Sequence, residues 1–361
     1  MTLASLWSPF LVAAVVCATT TPMIMRLACT LGVVDRPNER KVNRRANIPL
    51  LGGLAVALGF YAGIAVAVGT NGIAPAERDS LEGQLLGSLI LLGLGVVDDR
   101  RALSARSKLV IQLVAAAVAI AYGFRIDRLT DPVSRTSLVL PELVTWVVTL
   151  LWILGITNAM NLMDGLDGLA TGLGLIIGTT LTWIAWQADQ VVGVIAGIAF
   201  VGALLGFLPF NFPPARIFLG DTGALFIGFN LALLAISGYR RLSVLTFLVP
   251  LLALAVPLLD TTLSIYRRIR KRAPIMSPDR QHMHHRLLET AGSDRSAVFS
   301  LWFLTACFCV IAVSFTNLEG WAALVFLLIV VVLTVRLLRN LGFFDIGEGG
   351  REPGSSGQER Q

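Results

Sequence analysis

LILLGLGVVDDRR, residues 89–101, sets nine apolar residues directly before two aspartates and two arginines. Such a run is typical of a membrane helix at the point where the chain leaves the hydrocarbon and its charges become hydrated. Similar runs recur along the chain, which is 55% hydrophobic and only 14% charged. Because soluble domains are about one quarter charged, the composition predicts an integral membrane protein.

Eleven stretches are apolar enough to be interpreted as membrane helices, each of which needs about 20 residues. They cover roughly residues 7–29, 50–70, 82–97, 107–122, 142–158, 169–186, 191–209, 222–238, 244–265, 297–314 and 320–338. The sequence therefore predicts an all-α polytopic membrane protein in which residues 1–343 form a single integral-membrane domain. Residues 344–361 are rich in glycine, serine and charged residues, and we expect a disordered cytoplasmic tail.

The basic residues predict the orientation of the chain. With the N-terminus outside and the C-terminus in the cytoplasm, all but six of the 29 lysines and arginines fall on the inner side, as the positive-inside rule requires. The six exceptions are Arg78, Arg125, Arg128, Arg135, Arg240 and Arg241. The net charge of +6 reflects this bias and favours anionic lipid over nucleic acid as a partner.

The same inner loops carry clusters of acids, amides and histidines, whereas the outer loops carry almost none. The clusters are Asp98-Asp99, residues 158–168, residues 211–221 and residues 282–285. Alternate loops of a polytopic protein emerge on one face of the membrane. We therefore expect these groups to meet in an active site on the cytoplasmic face.

Asp98 and Asp99 are followed within ten positions by four basic residues, namely Arg100, Arg101, Arg106 and Lys108. Adjacent carboxylates repel each other unless cations compensate their charge. The pattern fits a hydrated helix end stabilised by arginines, and it fits a site that handles phosphate equally well.

Four polar residues follow at a spacing of three: Asn158, Asn161, Asp164 and Asp167. At about 3.6 residues per turn this spacing predicts that they lie along one side of a helix end. Amide and carboxylate oxygens grouped in this way suit Mg²⁺, or hydrogen bonds to a sugar or base. The alternative is a pair of helix caps with Gly165 and Gly168 in the turn.

The segment 210–223 lies between two apolar stretches and contains Pro213-Pro214, which excludes a continuous helix there. Asp221 is predicted to stand at the start of the next helix, where free N–H groups and the helix dipole attract phosphate. The alternative is that Asp221 is only a helix cap. Asn211 and Phe218 on the same loop favour a site.

All three histidines, His282, His284 and His285, lie in one loop beside Arg280. Zinc is disfavoured because two of the histidines are adjacent and no fourth ligand is implied. The neighbouring arginines favour an anionic partner, and a basic loop without a site is the alternative. The four cysteines fall in or beside apolar stretches and indicate neither a zinc site nor disulfides.

Two features lie within the apolar stretches themselves. Asp260 is an acid in the run 251–265, and such residues are usually functional or paired. The Gly52-Gly53 pair favours close helix packing or the approach of a substrate to the backbone.

The chemistry of these groups is best matched by phosphoryl transfer. The sequence has no GxxxxGK[ST] loop and no GxSxG elbow, so neither nucleotide-driven transport nor acyl transfer is indicated. The groups still to be explained are carboxylates and amides, which suit a divalent ion, and cations, which suit phosphate. We interpret the site as one in which both substrates carry the phosphates.

The motifs resemble those of the polyprenyl-phosphate N-acetylhexosamine-1-phosphate transferases, or glycosyltransferase family 4. The resemblance extends from about Asp35 to Arg286 and includes Asp35 to Lys41, Ile48-Pro49, Gly52-Gly53, Asp98-Asp99 with Lys108, residues 158–167, Asn211, Phe218, Asp221 and residues 279–285. The stretch 278–287 is more similar to the undecaprenyl-phosphate N-acetylglucosamine-1-phosphate transferase branch than to the muramoyl-pentapeptide branch.

This resemblance implies a transfer of N-acetylglucosamine 1-phosphate from UDP-N-acetylglucosamine to a polyprenyl phosphate, undecaprenyl or decaprenyl. The products would be polyprenyl-diphospho-N-acetylglucosamine and UMP, and the cofactor Mg²⁺ or Mn²⁺. It also implies a multi-pass protein of the inner (plasma) membrane, in a superfamily in which homodimers are familiar. The reaction would be the first membrane step towards a cell-envelope polymer such as lipopolysaccharide, teichoic acid or arabinogalactan.

The resemblance also implies roles for individual residues. Asp221, with Asn161 second, is expected to hold the metal, and Asp98, supported by Asp99, to orient the lipid phosphate. Phe218 is expected to stack on uracil, with Asp167 and Asn211 bonding the nucleoside. The remaining candidates for the nucleotide sugar and its phosphates are Lys108, Asn158, Asp164, Arg280, His282, His284 and His285.

Two alternatives remain open on the sequence. One is the same reaction with another UDP-N-acetylhexosamine donor. The other is a multi-span anion transporter, which would need polar groups midway through the spans. Apart from Asp260, those spans are almost free of charge.

Overall fold

The computed structural model describes residues 3–35, 47–71, 73–130, 137–239, 250–270, 293–316 and 320–340. Its helices are α1 (Leu3–Thr30), α2 (Gly52–Asn71), α3 (Pro75–Arg100), α4 (Ala105–Ala121), α5 (Glu142–Met163), α6 (Leu169–Gln187), α7 (Val191–Asn211), α8 (Gly220–Tyr239), α9 (Ala255–Arg270), α10 (Asp294–Phe315) and α11 (Gly320–Asn340). Two short antiparallel pairs accompany them, β1 (Val34–Asp35) with β2 (Ile48–Pro49) and β3 (Arg128–Thr130) with β4 (Ser137–Val139).

Eight of the described helices are long and apolar enough to cross a membrane: α1, α2, α3, α5, α6, α7, α8 and α10. The molecule is therefore a mostly helical, polytopic membrane protein. The other three predicted segments are largely helical where the structure describes them, and residues 244–249 lie outside the described residues. Helix α4 has 17 residues and α9 has 16, and the apolar part of α11 is Val325–Arg336. The count of eleven crossings and the orientation stay predictions.

Helix α8 lies at the centre of the bundle. It packs against α2, α3, α5 and α6. Of the residues in its most apolar 18-residue stretch, 89% are buried, whereas the corresponding fraction for α1 is 22%. A helix that is apolar on every face is stable only where protein or lipid surrounds it. Because α8 is enclosed by protein, the residues at its N-terminus are held from several sides.

Small residues let α2 and α3 approach α8 closely at one end of the bundle. A Cβ atom on Gly53 would lie 2.2 Å from the backbone nitrogen of Gly223, and one on Gly95 would lie 2.2 Å from Cα of Thr222. The prediction that Gly52-Gly53 permits close helix packing is therefore confirmed. These contacts bring the end of α3 and the start of α8 together.

The loop before α8 is attached to the start of α2 by backbone hydrogen bonds. The N–H of Phe218 donates to the carbonyl of Pro49 at 2.9 Å, and the N–H of Gly52 donates to the carbonyl of Phe218 at 3.1 Å. As predicted from Pro213-Pro214, no helix runs through this loop, since α7 ends at Asn211 and α8 begins at Gly220. The arrangement fixes where α8 begins.

Candidate active site

Asp221 lies in the first turn of α8, which confirms the prediction that it stands at a helix start. Its carboxylate accepts a hydrogen bond from Nζ of Lys108 at 2.6 Å and another from Nδ2 of Asn161 at 3.0 Å. Three separate helices therefore supply Asp221, Lys108 and Asn161 to one point.

Asp98, near the end of α3, faces the same point. Its Oδ2 pairs with the ammonium of Lys108, and its Oδ1 accepts the N–H of Leu103 at 2.7 Å. Asp98 and Asp221 thus contact the same ammonium. The side chain of Asp98 is 7% exposed, whereas those of Lys108 and Asp221 are 26% and 28% exposed. The site is thus open enough to receive a ligand.

Asp99 contacts the N-terminus of α8. Its carboxylate accepts the N–H of Asp221 at 2.8 Å, the N–H of Thr222 at 3.2 Å and the hydroxyl of Thr222 at 2.6 Å. Free N–H groups at a helix start are stabilised by such an acceptor. Asp99 therefore joins α3 to α8. Thr222 was not predicted from the sequence, although its place in Asp-Thr-Gly was a signal.

The prediction for residues 158–167 is only half right. Helix α5 ends at Met163, with Asp164 as its C-cap, so Asp164 and Asp167 do not continue the helical face. The alternative is confirmed, since Asp164 and Gly168 cap the two helices and the chain turns between them. Gly168, at φ 73°, adopts the left-handed conformation that glycine favours.

The two asparagines on α5 also differ from each other. Asn161 bonds Asp221, whereas Asn158 donates to Oε1 of Gln112 at 2.8 Å and to the carbonyl of Leu154 at 2.8 Å. Gln112 on α4 was missed by the sequence analysis, although a polar residue inside an apolar stretch is a recognisable signal. Asn158 therefore contributes by fixing α4 against α5.

Asp164 lies in the negative field of the site. Burial raises the pKa of its carboxyl well above the usual range, and neighbouring carboxylates raise it further. Those neighbours are Asp221, Asp99 and Asp167. Asp164 therefore holds a proton more readily than an ordinary aspartate does.

The loop before α8 is held by the other two residues predicted to bind the nucleoside. Oδ2 of Asp167 accepts the N–H of Ala215 at 2.8 Å. Asn211 accepts the hydroxyl of Thr171 at 2.6 Å and donates to the carbonyl of Ile217 at 3.0 Å. Since Asn211 is only 3% exposed, its amide holds the loop in shape, and its contact with a nucleoside stays a prediction.

The predicted ring-stacking residue, Phe218, is half-buried in this loop. Helix α10 braces the other side, where Nε of Arg295 donates to the carbonyl of Pro213 at 3.1 Å and the rings of Phe212 and Trp302 lie 6.0 Å apart. The loop is therefore supported from both ends. The contribution of α10 was not predicted from the sequence.

Not all predicted residues are among those that the structure describes. Arg280, His282, His284 and His285 are outside the described residues, so their contacts stay predictions. Asp260 is fully buried in α9, and whether it is functional or paired stays open between the two predicted alternatives.

The described residues contain no group of three or more His, Cys, Asp or Glu side chains that could hold a metal ion. The oxygens of Asp98 and Asp221 nevertheless converge on one cation, the ammonium of Lys108, with the amide of Asn161 beside them. Hard divalent ions such as Mg²⁺ use one or two carboxylates together with water and substrate phosphates. This set of donors fits such an ion.

Comparison with known proteins agrees with this geometry. Residues 82–239 match the family described as Glycosyl transferase family 4. A Bacillus subtilis (strain 168) protein named probable undecaprenyl-phosphate N-acetylglucosaminyl 1-phosphate transferase is 36% identical over 313 residues, 86% of this chain and 85% of that protein. The decaprenyl-phosphate N-acetylglucosaminephosphotransferase of Mycobacterium tuberculosis (strain ATCC 25618 / H37Rv) is 33% identical, covering 81% of this chain and 78% of that protein.

A third relative is the undecaprenyl-phosphate alpha-N-acetylglucosaminyl 1-phosphate transferase of Escherichia coli (strain K12). It is 30% identical over 278 residues, 75% of this chain and 73% of that protein. The similarities extend well beyond the 82–239 segment and include the helices that carry the acids. The chain belongs to the polyprenyl-phosphate N-acetylhexosamine-1-phosphate transferase superfamily, glycosyltransferase family 4, in its N-acetylglucosamine-1-phosphate transferase branch.

Proposed function

We propose that this protein transfers N-acetylglucosamine 1-phosphate from UDP-N-acetylglucosamine to a polyprenyl phosphate, releasing UMP. The relatives named above are described as enzymes of this type, acting on undecaprenyl or decaprenyl phosphate. The observation that carries the proposal is the convergence of Asp98, Asp221 and Lys108 from three helices at one end of the bundle. Carboxylates and an ammonium in contact are the groups that phosphoryl transfer needs.

The roles follow from the contacts. Asp221 and Asn161 would hold Mg²⁺ or Mn²⁺, because their side chains are in contact at 3.0 Å and that of Asp221 is 28% exposed. When bound, that ion supplies neutralisation of charge on the diphosphate and on departing UMP. Lys108 lies beside both carboxylates and would bind phosphate oxygens.

Asp98 would orient the phosphate of the lipid. A phosphate monoester has a second pKa near 6 and is mostly ionised at pH 7, so proton removal adds little. Positioning and charge neutralisation therefore dominate the rate. Asp99 contributes through the backbone of α8, and Phe218 would stack on the uracil ring.

The proposal is tested by incubating membranes with UDP-[¹⁴C]GlcNAc, polyprenyl phosphate and Mg²⁺ and measuring label in the organic phase. Asp221→Asn should lower the rate by about 10²-fold or more, since a charged group acting in the transition state is lost. Asp79→Asn is the matched control, because Asp79 is an exposed acid at the far end of α3. No label with wild-type protein would refute the function, and full activity in Asp221→Asn would refute the metal role.

The donor is defined by the same assay. We infer N-acetylglucosamine from the branch to which the chain belongs, and a panel of UDP-N-acetylhexosamines gives the preference directly. A multi-span anion transporter would move donor into vesicles without labelling lipid. Transfer into lipid with no uptake excludes that alternative.

The location of the site is part of the proposal. We infer a plasma-membrane protein whose site faces the cytoplasm, since the inner loops carry the basic residues and sugar nucleotides are cytoplasmic. A homodimer is consistent with the superfamily, and size-exclusion chromatography with light scattering of the purified protein measures it.

A further inference from the structure

The ammonium of Lys108 occupies a place between carboxylates from two different helices. It pairs with Oδ2 of Asp98 and lies 2.6 Å from Oδ2 of Asp221. Lys108 belongs to the first turn of α4, which is capped by Ser104 through a 3.2 Å hydrogen bond from the N–H of Ser107. The position of the ammonium therefore depends only on the side chain of Lys108. A movement of that side chain leaves the first turn of α4 intact.

The same carboxylate oxygens are those that fit a divalent ion. An ammonium and a metal ion cannot occupy one position, and the two cations repel each other at close range. The opposite arrangement, in which Lys108 simply strengthens the metal site, would place it away from the oxygens. In the structure it contacts one oxygen of each acid.

We infer that Lys108 is the resident counter-ion of the ligand-free site and that a divalent cation held by Asp221 displaces its ammonium from that carboxylate, beside Asp98. The displaced ammonium then lies beside the metal, where it binds a substrate phosphate. This inference deepens the proposed function and rests on it for the identity of the phosphate. Without a phosphate to receive the ammonium, Lys108 competes with the metal ion and lowers the affinity of the site for that ion.

Linkage gives this exchange a consequence for binding order. If a bound phosphate draws Lys108 away, the phosphate raises the affinity for the metal, and the metal raises the affinity for the phosphate by the same factor. A site of this kind loads metal and substrate together, which avoids an uncompensated cluster of positive or negative charge.

The test is the affinity of purified protein for Mn²⁺ alone, measured from the loss of the free-ion signal in electron paramagnetic resonance. Lys108→Met and Lys108→Gln remove the competing charge and should bind Mn²⁺ about tenfold tighter or more than wild type, because two carboxylates lose their partner. The same variants should transfer less sugar phosphate, since a phosphate contact is lost. Tighter metal binding with lower activity distinguishes exchange from simple damage.

Two controls separate the position of the charge from its presence. Lys108→Arg keeps the charge and should keep the wild-type affinity within about threefold. Arg106→Met removes one charge from an exposed position two residues away, where solvent screens it, and should leave the affinity unchanged. Thermal unfolding in detergent identifies which variants are folded. If Lys108→Met is not folded, the affinity is measured on Lys108→Gln.

The result that overturns the inference is a Lys108 variant, folded by that criterion, whose Mn²⁺ affinity equals or falls below that of wild type. Its outcome is separable from that of the proposed function. Tighter Mn²⁺ binding in a protein that labels no lipid would support the exchange and refute the transferase. Active wild-type protein with unchanged affinity in both variants would refute the exchange alone.

Discussion

Adjacent acids in this site perform different tasks because their side chains leave α3 in different directions. Asp98 meets a cation, Lys108, whereas Asp99 meets the backbone and hydroxyl at the start of α8. A carboxylate bonded to helix N–H groups is already stabilised and is poorly placed to take a ligand. The doublet therefore combines one group for the substrate with one group that positions Asp221.

Asp164 gives a prediction at the scale of a single residue. Its pKa is raised in the folded protein, so the folded state keeps a proton that the unfolded chain loses above about pH 4. Wild type therefore loses stability as pH rises through this range. Asp164→Asn should unfold at the same temperature as wild type near pH 4 and at a higher temperature near pH 7, measured in detergent without divalent ions.

The control for this prediction is Asp189→Asn, an exposed acid at the end of α6. Its unfolding temperature should follow that of wild type at both pH values. An Asp164→Asn difference that is equal at pH 4 and pH 7 would mean that the carboxylates do not act on Asp164 through its charge.

At the scale of elements, the sequence predicted the helix starts and loops better than the contacts between them. Pro213-Pro214 and Asp221 indicated where α8 begins, because proline chemistry and helix dipoles are local. The spacing of three placed Asp164 and Asp167 on the helical face of α5, whereas the alternative, with Gly165 and Gly168 in a turn between two helix caps, is the one that the structure shows. The partners Thr222 and Gln112 come from long-range packing, which spacing does not contain.

Buried polar residues between helices were missed for the same reason. Asn230 on α8 accepts from Nε2 of Gln84 on α3 at 2.8 Å and donates to Oγ of Ser88 at 3.3 Å. Each of these residues is isolated in an apolar stretch of the sequence. Only the packing of α3 against α8 shows that they form one network, which satisfies polar groups away from water.

The contact between α3 and α8 gives a prediction at the scale of elements. Gly95→Ala adds a Cβ that would lie 2.2 Å from Cα of Thr222, whereas Gly93→Ala on the same helix adds one with nothing within 4 Å. Gly95→Ala should separate the two helices, move Asp99 off the start of α8 and cut transferase activity by about tenfold or more. Gly93→Ala should keep the activity, and equal activity in the two variants would contradict the packing argument.

At the scale of the whole molecule, a central helix carries the site and the surrounding helices bring charged ends to it. The sequence predicted this convergence because basic residues and polar clusters share the alternate loops. It could not show which acid meets which helix. Nor does the bundle alone say which end faces the cytoplasm, since composition and packing are the same when the molecule is inverted.

Orientation is therefore the last prediction, and cysteine labelling measures it. In a variant whose four native cysteines are replaced by alanine, single cysteines at Arg101 and Arg216 report the end with the site, and those at Arg78 and Leu138 report the other end. All four positions are exposed. The positive-inside rule predicts that a membrane-impermeant maleimide labels Arg78→Cys and Leu138→Cys in intact cells.

Arg101→Cys and Arg216→Cys should react only after the membrane is permeabilised, because both lie at the end that carries Asp98 and Asp221. The reverse labelling pattern at all four positions would show that the molecule has the opposite orientation, and the pocket would be unaffected. Labelling that separates positions 101 and 216 across the membrane would be more serious. Asp98 and Asp221 could then share neither Lys108 nor a metal ion, and the transferase site would not exist.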